Sequence, residues 1–186
     1  MTRILFLNGP PRSGKDTAAR ILYRERPFRH YKFAEPLKRA AHSILGLGNI
    51  RPEAYDLVKD LDNFDFFHKK PRDVYISLSE EWAKRYFGTD FFGKVALRRI
   101  ERDRASLVVF SDCGFYEEIL PLISYYPSGC CFLLHLERPG TSFKGDSRSW
   151  IEPPPGLPYG RLINDGSLED LRRNLLDIVD SWMQNA

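Results

Sequence analysis

Cysteine is scarce in this chain: Cys113, Cys130 and Cys131 are its three. An odd number with two adjacent makes a poor disulfide framework, and no CxxC spacing offers a zinc site. They read as free thiols of a reducing compartment. Long apolar runs are missing too, since none approaches membrane-spanning length. The N-terminus enters an apolar stretch, Ile4 to Leu7, without the longer run and cleavage site of a signal peptide. A cytoplasmic protein without a membrane partner is expected. A dominant charge is also absent. The net charge is +3, with 25 acidic residues against 28 basic ones. That mild balance suits an acidic ligand such as a nucleotide and tolerates DNA, but it does not describe a nucleic-acid coating protein. There is no internal repeat and no domain linker. The 186 residues, 42 % of them apolar, fit one α/β domain with a small lid or insertion.

What is present alternates between strand and helix patterns. Ile4–Leu7 reads as a buried strand entering the turn Asn8-Gly9-Pro10-Pro11. A helix follows from Lys15 to about Arg24, with Ala18, Ile21 and Leu22 inward, stopped by Pro27. Tyr31 to Phe33 is a brief extended piece, and Pro36 opens a helix to Leu45 closed by Gly46. From Asn49 to Pro71 the pattern is irregular, with a short helix expected over Pro52 to Leu61. Helical spacing runs from Arg72 to Phe87 and from Phe91 to Arg102. Leu107 to Ser111 is the clearest core strand, buried on both sides as parallel strands tend to be. Tyr116 to Ser124 reads as a helix weakened by Pro121, and Cys130 to Leu136 as another core strand. Arg161 to Ile163 is a short edge strand. Ser167 with Asp170 approaches a capping box before the last helix. Such alternation predicts right-handed crossovers and a parallel sheet.

The chemistry concentrates in Gly9-Pro10-Pro11-Arg12-Ser13-Gly14-Lys15-Asp16-Thr17. A GxxxxGK loop between an apolar strand and a helix is the phosphate loop of ATP-binding proteins. Its backbone N–H groups and the helix N-terminus hold phosphate oxygens, and Lys15 spans the β- and γ-phosphates. Asp16 stands where a Ser or Thr hydroxyl usually binds Mg²⁺. It is either a direct or water-mediated metal ligand or a carboxylate favoured by the helix dipole, with Thr17 left to serve a phosphate oxygen. Asp112, after the strand Leu107 to Ser111, has a Walker-B-like placement and is a second candidate for Mg²⁺ or for orienting the acceptor. The other reading of Asp112 is a turn-stabilising aspartate before Gly114.

Asn8 to Thr17 resembles the phosphate loop of bacteriophage deoxynucleoside monophosphate kinases. Phe33-Ala34-Glu35-Pro36-Leu37-Lys38 resembles their segment after the first helix, and Leu162 to Leu171 the segment before their last one. The resemblance implies an α/β P-loop kinase, a three-layer sandwich with a central parallel sheet. It implies an acceptor-binding helical insertion over about 36–104 and a lid over about 138–158. It implies ATP and Mg²⁺, a deoxynucleotide acceptor free or within DNA, and the host cytoplasm for a phage-encoded protein. Many relatives carry an arginine shortly after the aspartate, but Ser111-Asp112-Cys113-Gly114-Phe115 has none. Some similar phage proteins act on polymer DNA, phosphorylating 5-hydroxymethyluracil on the way to hypermodified thymidines.

On the acceptor side, Lys38, Arg39, Arg72, Arg85, Arg98 and Arg99 are candidate phosphate ligands. Arg72 is the foremost, because its planar fork grips phosphate at two points. Lys38 falls where the resemblance places acceptor contacts. Tyr75 and Trp82 either stack on a base or pack a core. Basic and aromatic residues interleave at Phe64, Phe66, Phe67, His68, Lys69 and Lys70, as a flipped-base surface or a hydrophobic insertion would. In the polar segment after Leu136, Arg138 and Arg148 could close over the triphosphate, and Asp146 could serve the metal or a hydroxyl. The sequence is compatible with a homodimer. A nucleotide sensor or nucleic-acid-binding ATPase is the third class. It is disfavoured by the lack of a switch-like glutamine motif and of a repeated assembly surface.

Overall fold

A computed structural model describes residues 1–185. The chain divides into two compact units, Met1–Phe33 with Gly93–Ala186, and Ala34–Phe92. In the first, five strands form one sheet: β1 Arg3–Asn8, β2 Arg29–Tyr31, β3 Leu107–Cys113, β4 Cys131–Glu137 and β5 Tyr159–Ile163. Their order is β2-β3-β1-β4-β5 and every pairing is parallel. Ile4, Leu5, Phe6 and Leu7 are wholly buried, so β1 is covered on both faces. The period of two sorts its residues. Leu5 and Leu7 meet α1 (Lys15–Glu25) and α7 (Leu168–Asn185) in a core with Ala18, Leu22, Leu171, Leu175 and Val179. On the opposite face Phe6, Phe33 and Phe110 stack, with Phe33 and Phe110 centred 4.2 Å apart. Ile100 of α5 (Phe91–Asp103) and Ile119 and Leu122 of α6 (Tyr116–Tyr125) are buried as well.

The register carries one irregularity. Phe6 lies opposite Phe110, but Asn8 lies opposite Cys113. Ser111 and Asp112 therefore share the single step occupied by Leu7, a bulge that breaks the strict alternation of β3. Asp112 thus lies within β3 rather than after it, a correction to the expected strand end at Ser111. The expected extended piece Tyr31–Phe33 is also shifted. β2 is Arg29–Tyr31, because the N–H of Phe33 is taken by Asp112 Oδ1 at 2.9 Å rather than by a neighbouring strand. The start of α7 has the expected cap: Ser167 N–H donates to Asp170 Oδ2 at 3.0 Å and Asp170 N–H to Ser167 Oγ at 3.1 Å. Cys113, Cys130 and Cys131 are buried free thiols. Among the described residues no helix is long and apolar enough to cross a membrane.

The second unit contains α2 (Glu35–Ile44), α3 (Pro71–Ser77) and α4 (Arg85–Phe87). A wider π-helical stretch, Leu78–Lys84, joins α3 to α4, so the helix expected over 72–87 is not uniform. The helix expected over 52–61 is only a 3₁₀ turn, Pro52–Tyr55. Its apolar residues share no face: Tyr55 is buried while Leu57 is 97 % exposed. The interior is an aromatic cluster in which His42 meets Tyr55, Phe66 and Tyr75. His42 Nδ1 donates to Ile50 O at 2.8 Å, which leaves Nε2 to accept the Tyr75 hydroxyl at 2.7 Å. Phe66 is buried, whereas Phe64 and Phe67 beside it are exposed.

Candidate functional site

The loop over residues 9–17, expected to bind phosphate, leaves the carboxyl end of β1, the middle strand, where ligands of open parallel sheets bind. Gly14 precedes α1 with φ 108°, a left-handed conformation that costs any residue with a Cβ. The loop is braced from within and from β5: Ser13 N–H donates to Pro10 O at 3.2 Å, and Asn164 Nδ2 to Ser13 O at 2.9 Å. A Cβ at Gly14 would sit 2.6 Å from that Asn164 nitrogen. Gly14→Ala is therefore expected to lower stability by about 1–3 kcal/mol, from backbone strain and the lost Asn164 brace. Urea denaturation reads that loss, and unchanged stability would count against the brace.

Lys15 is buried, and its Nζ donates to Gly9 O at 2.6 Å and Pro10 O at 2.7 Å. The ammonium group is held at the loop's mouth by carbonyls that a phosphate oxygen can replace. Burial, then the charge of Arg148, pulls its pKa down to about 8, while Asp16, Asp146 and Asp112 act the other way. A triphosphate would restore full protonation. Between the free and the bound value, binding must take up a proton, so affinity falls as pH rises above about 8. Calorimetry of ATP binding near pH 8.5, in buffers of different ionisation enthalpy, is expected to show net proton uptake.

Asp16, in the first turn of α1, accepts from Ser111 Oγ at 2.8 Å and pairs with Lys32 Nζ at 3.1 Å. His30 Nε2 lies 2.7 Å from Ser111 Oγ. Because the Ser111 proton points to Asp16, His30 is the donor in that contact. Burial works against the Asp16 charge, but Lys32, Ser111 and His30 outweigh it and hold the carboxyl below its ordinary value. Among the described residues no three His, Cys, Asp or Glu side chains form a metal cluster. Mg²⁺ needs none, since it is held by one or two carboxylates with waters and substrate phosphates. Asp16 and Asp112 are oxygen donors of that kind, one in the loop and one at the bulge of β3.

Arg148 is half-buried, and its guanidinium is clamped by Asp146, Nε to Oδ1 at 2.8 Å and Nη2 to Oδ2 at 2.7 Å. Its charge acts on Lys15, and Asp146 and Asp112 act on it in turn. The structure thus gathers Lys15, Asp16, Asp112 and Arg148 around one loop. Arg138 is exposed, along a cleft of about 290 Å³ that Pro10 of the loop, Thr141 and Trp150 also line. Pro11 and Arg12 are exposed at the loop's tip, Arg12 with φ 67°. The Thr17 hydroxyl lies 3.4 Å from Arg20 Nη2.

Of the predicted acceptor residues, Arg98 and Arg99 lie on α5 within the first unit, whereas Lys38, Arg39, Arg72, Tyr75, Trp82 and Arg85 belong to the second. Arg72 closes its fork on Asp60. Lys38 Nζ lies 5.3 Å from the centre of the Tyr75 ring and 3.9 Å from Asp56. Tyr75 gives its hydroxyl to His42 and packs edge-on against Phe66. Trp82, half exposed, meets Phe87.

Sequence reasoning missed His30, Lys32, Ser111 and Asn164 as parts of the site. Ser111 and Lys32 stood within predicted extended segments, but only the bulge and the pairing of β2 with β3 direct them to Asp16. Asn164 had a usable signal in the polar Asn164-Asp165-Gly166 that ends β5.

No family model matches the chain, and no curated protein matches it. Among solved structures it is similar to TT1252 from Thermus thermophilus, at 17 % identity over 97 % of each chain with a TM-score of 0.53. It is likewise similar to a variant of the Mycobacterium tuberculosis APS kinase CysC, at 14 % identity over 96 % of this chain and 97 % of that one, with a TM-score of 0.50. What is shared is the fold: an α/β sandwich with a central parallel sheet and helical insertions.

Proposed function

We propose that this chain is an ATP-dependent phosphotransferase of the nucleotide-kinase type that converts a deoxynucleoside monophosphate to its diphosphate. The observation that carries the reading is the grouping of Lys15, Asp16, Asp112 and Arg148 around a glycine-bounded loop at the head of α1. In the reaction an acceptor phosphate oxygen forms a bond to the γ-phosphorus as the bond to the β–γ bridging oxygen breaks and ADP leaves. The acceptor oxygen is already anionic, so no protein nucleophile is required, and positioning and electrostatics supply the rate. The loop amides and the α1 N-terminus bind the triphosphate. Lys15 and Arg148 offset the charge of the moving group. Asp16 and Asp112 would hold Mg²⁺, which adds positive charge at the phosphates. Arg138 is assigned to the donor side, and the unit Ala34–Phe92, with Lys38, Arg72 and Tyr75, to the acceptor.

The second reading is a DNA kinase that phosphorylates 5-hydroxymethyluracil. It is favoured by Phe64 and Phe67, which are 81 % and 72 % exposed beside Lys69 and Lys70. Asp60, Asp62 and Asp65 in the same stretch oppose a polyanion there, which supports the free monophosphate. Labelled ATP offered to free deoxynucleoside monophosphates and to duplex DNA containing 5-hydroxymethyluracil decides between them. Label is expected in a deoxynucleoside diphosphate. Label in polymer alone overturns the leading reading, and hydrolysis without transfer overturns both.

A further inference from the structure

We propose that Asn8 is a positioning residue that fixes Arg148 beside the phosphate loop before any ligand binds, an inference that rests on the phosphotransferase reading. Asn8 ends β1 directly ahead of Gly9 and is wholly buried. A buried carboxamide must find partners for two N–H donors and an acceptor. Here Nδ2 donates to Cys113 O at 3.1 Å and to Ser149 O at 3.0 Å, and Oδ1 accepts the Ile151 N–H at 3.1 Å. One side chain therefore ties the strand before the loop to the end of β3, next to Asp112, and to the residues directly after Arg148.

The same segment is held from the other side. His135 Nε2 of β4 donates to Ile151 O at 3.0 Å. Both backbone groups of Ile151 are thus taken, one by β1 and one by β4, and its side chain is buried. Arg148 lies along Gly114 so closely that a Cβ there would run into Cβ, Cγ and Cδ of the arginine stem. Asn8 and Gly114 set where the backbone and stem of Arg148 lie, and Asp146 sets where its guanidinium points. Within the lid expected over about 138–158, Ser149 and Ile151 are fastened to the sheet by these contacts. An arginine held in place beforehand loses little conformational freedom when the γ-phosphoryl group arrives, so more of its charge interaction appears in the rate. Neither leucine nor aspartate at position 8 could make these contacts, since both lack the two donors.

The test is a kinetic double-mutant cycle. Asn8→Ala is expected to lower kcat by about 10- to 100-fold with KM for ATP nearly unchanged. In an Arg148→Ala background the same change should cost less than about twofold, because the residue it positions is gone. Losses that simply multiply would overturn the proposal. Gly114→Ala, which pushes the arginine stem from outside, should give the same kcat loss and the same non-additivity, and it stands in if Asn8→Ala does not fold. Hydrogen exchange provides a readout that needs no acceptor. Asn8→Ala should speed exchange of the Ile151 amide while the amides of β4 stay protected. Unchanged exchange at Ile151 removes the clasp even in an active enzyme. An inactive wild type with the predicted exchange change would reject the phosphotransferase reading and leave the clasp standing.

Discussion

Lys15→Ala is expected to reduce phosphoryl transfer by about a thousandfold or more, with little loss of stability. The lysine is buried and its ammonium rests on the carbonyls of Gly9 and Pro10. Its depressed pKa means that desolvation costs the charged form more than its surroundings return. Removing it forfeits its hydrogen bonds to Gly9 O, Pro10 O and Ser13 Oγ but also removes a poorly solvated charge, so the two effects on folding oppose each other. A shift of no more than a few degrees, about 4 °C, in the melting temperature is the expected result. Catalysis has no such offset. The charge that develops on the transferred group would lose the cation at the head of α1, and the loop amides and Arg148 would remain. Steady-state kinetics beside a thermal melt separate the two. Retained turnover would reject the loop as the phosphate site, and a collapse of stability would recast Lys15 as a structural residue. Lys15→Arg should rescue little, because a planar fork does not fit between the two carbonyls that the compact ammonium spans.

The loop could be read in the sequence because its signal is local: strand, glycine spacing, lysine and helix are contiguous between Ile4 and Thr17. The parallel sheet could be read for a similar reason, since β1, β3 and β4 are short, nearly unbroken apolar runs. What escaped depends on non-local register. Ser111 and Asp112 share one step opposite Leu7 only because β3 bulges against β1, and nothing in Ser111-Asp112-Cys113 announces a bulge. Asn8 looked like the first residue of a turn, although its partners lie 105, 141 and 143 residues away. The misread helix over 52–61 failed for the opposite reason. Local propensity favoured it, but the aromatic cluster around His42 recruits Tyr55 and Phe66 and leaves Leu57 and Leu61 in solvent. Arg72, chosen for its fork, has that fork engaged by Asp60, a pairing 12 residues apart across an irregular stretch.

Asp112→Asn tells the two acceptors apart, because the carboxylate has different tasks in each. Its Oδ1 accepts the Phe33 N–H at 2.9 Å, which an asparagine oxygen also does, so the substitution changes charge while keeping the contact. With a phosphate acceptor there is no proton to remove, and the lost charge weakens the hold on Mg²⁺. The expected result is a rise in the Mg²⁺ concentration needed for half-maximal rate. A drop in kcat of about 10- to 100-fold should accompany it and be largely recovered at saturating metal. With a hydroxymethyl acceptor the alcohol proton must leave as the new P–O bond forms. Loss of a general base would then cost about 10²- to 10⁴-fold whatever the metal concentration, and the pH–rate profile would lose its acidic limb. Asp16→Asn provides the internal comparison. Asp16 carries its charge under the combined pull of Lys32, Ser111 and His30, so losing it should raise the Mg²⁺ requirement with either acceptor. A kcat loss at Asp112 that metal does not recover, beside a recoverable one at Asp16, would transfer the assignment from the free monophosphate to an alcohol in DNA.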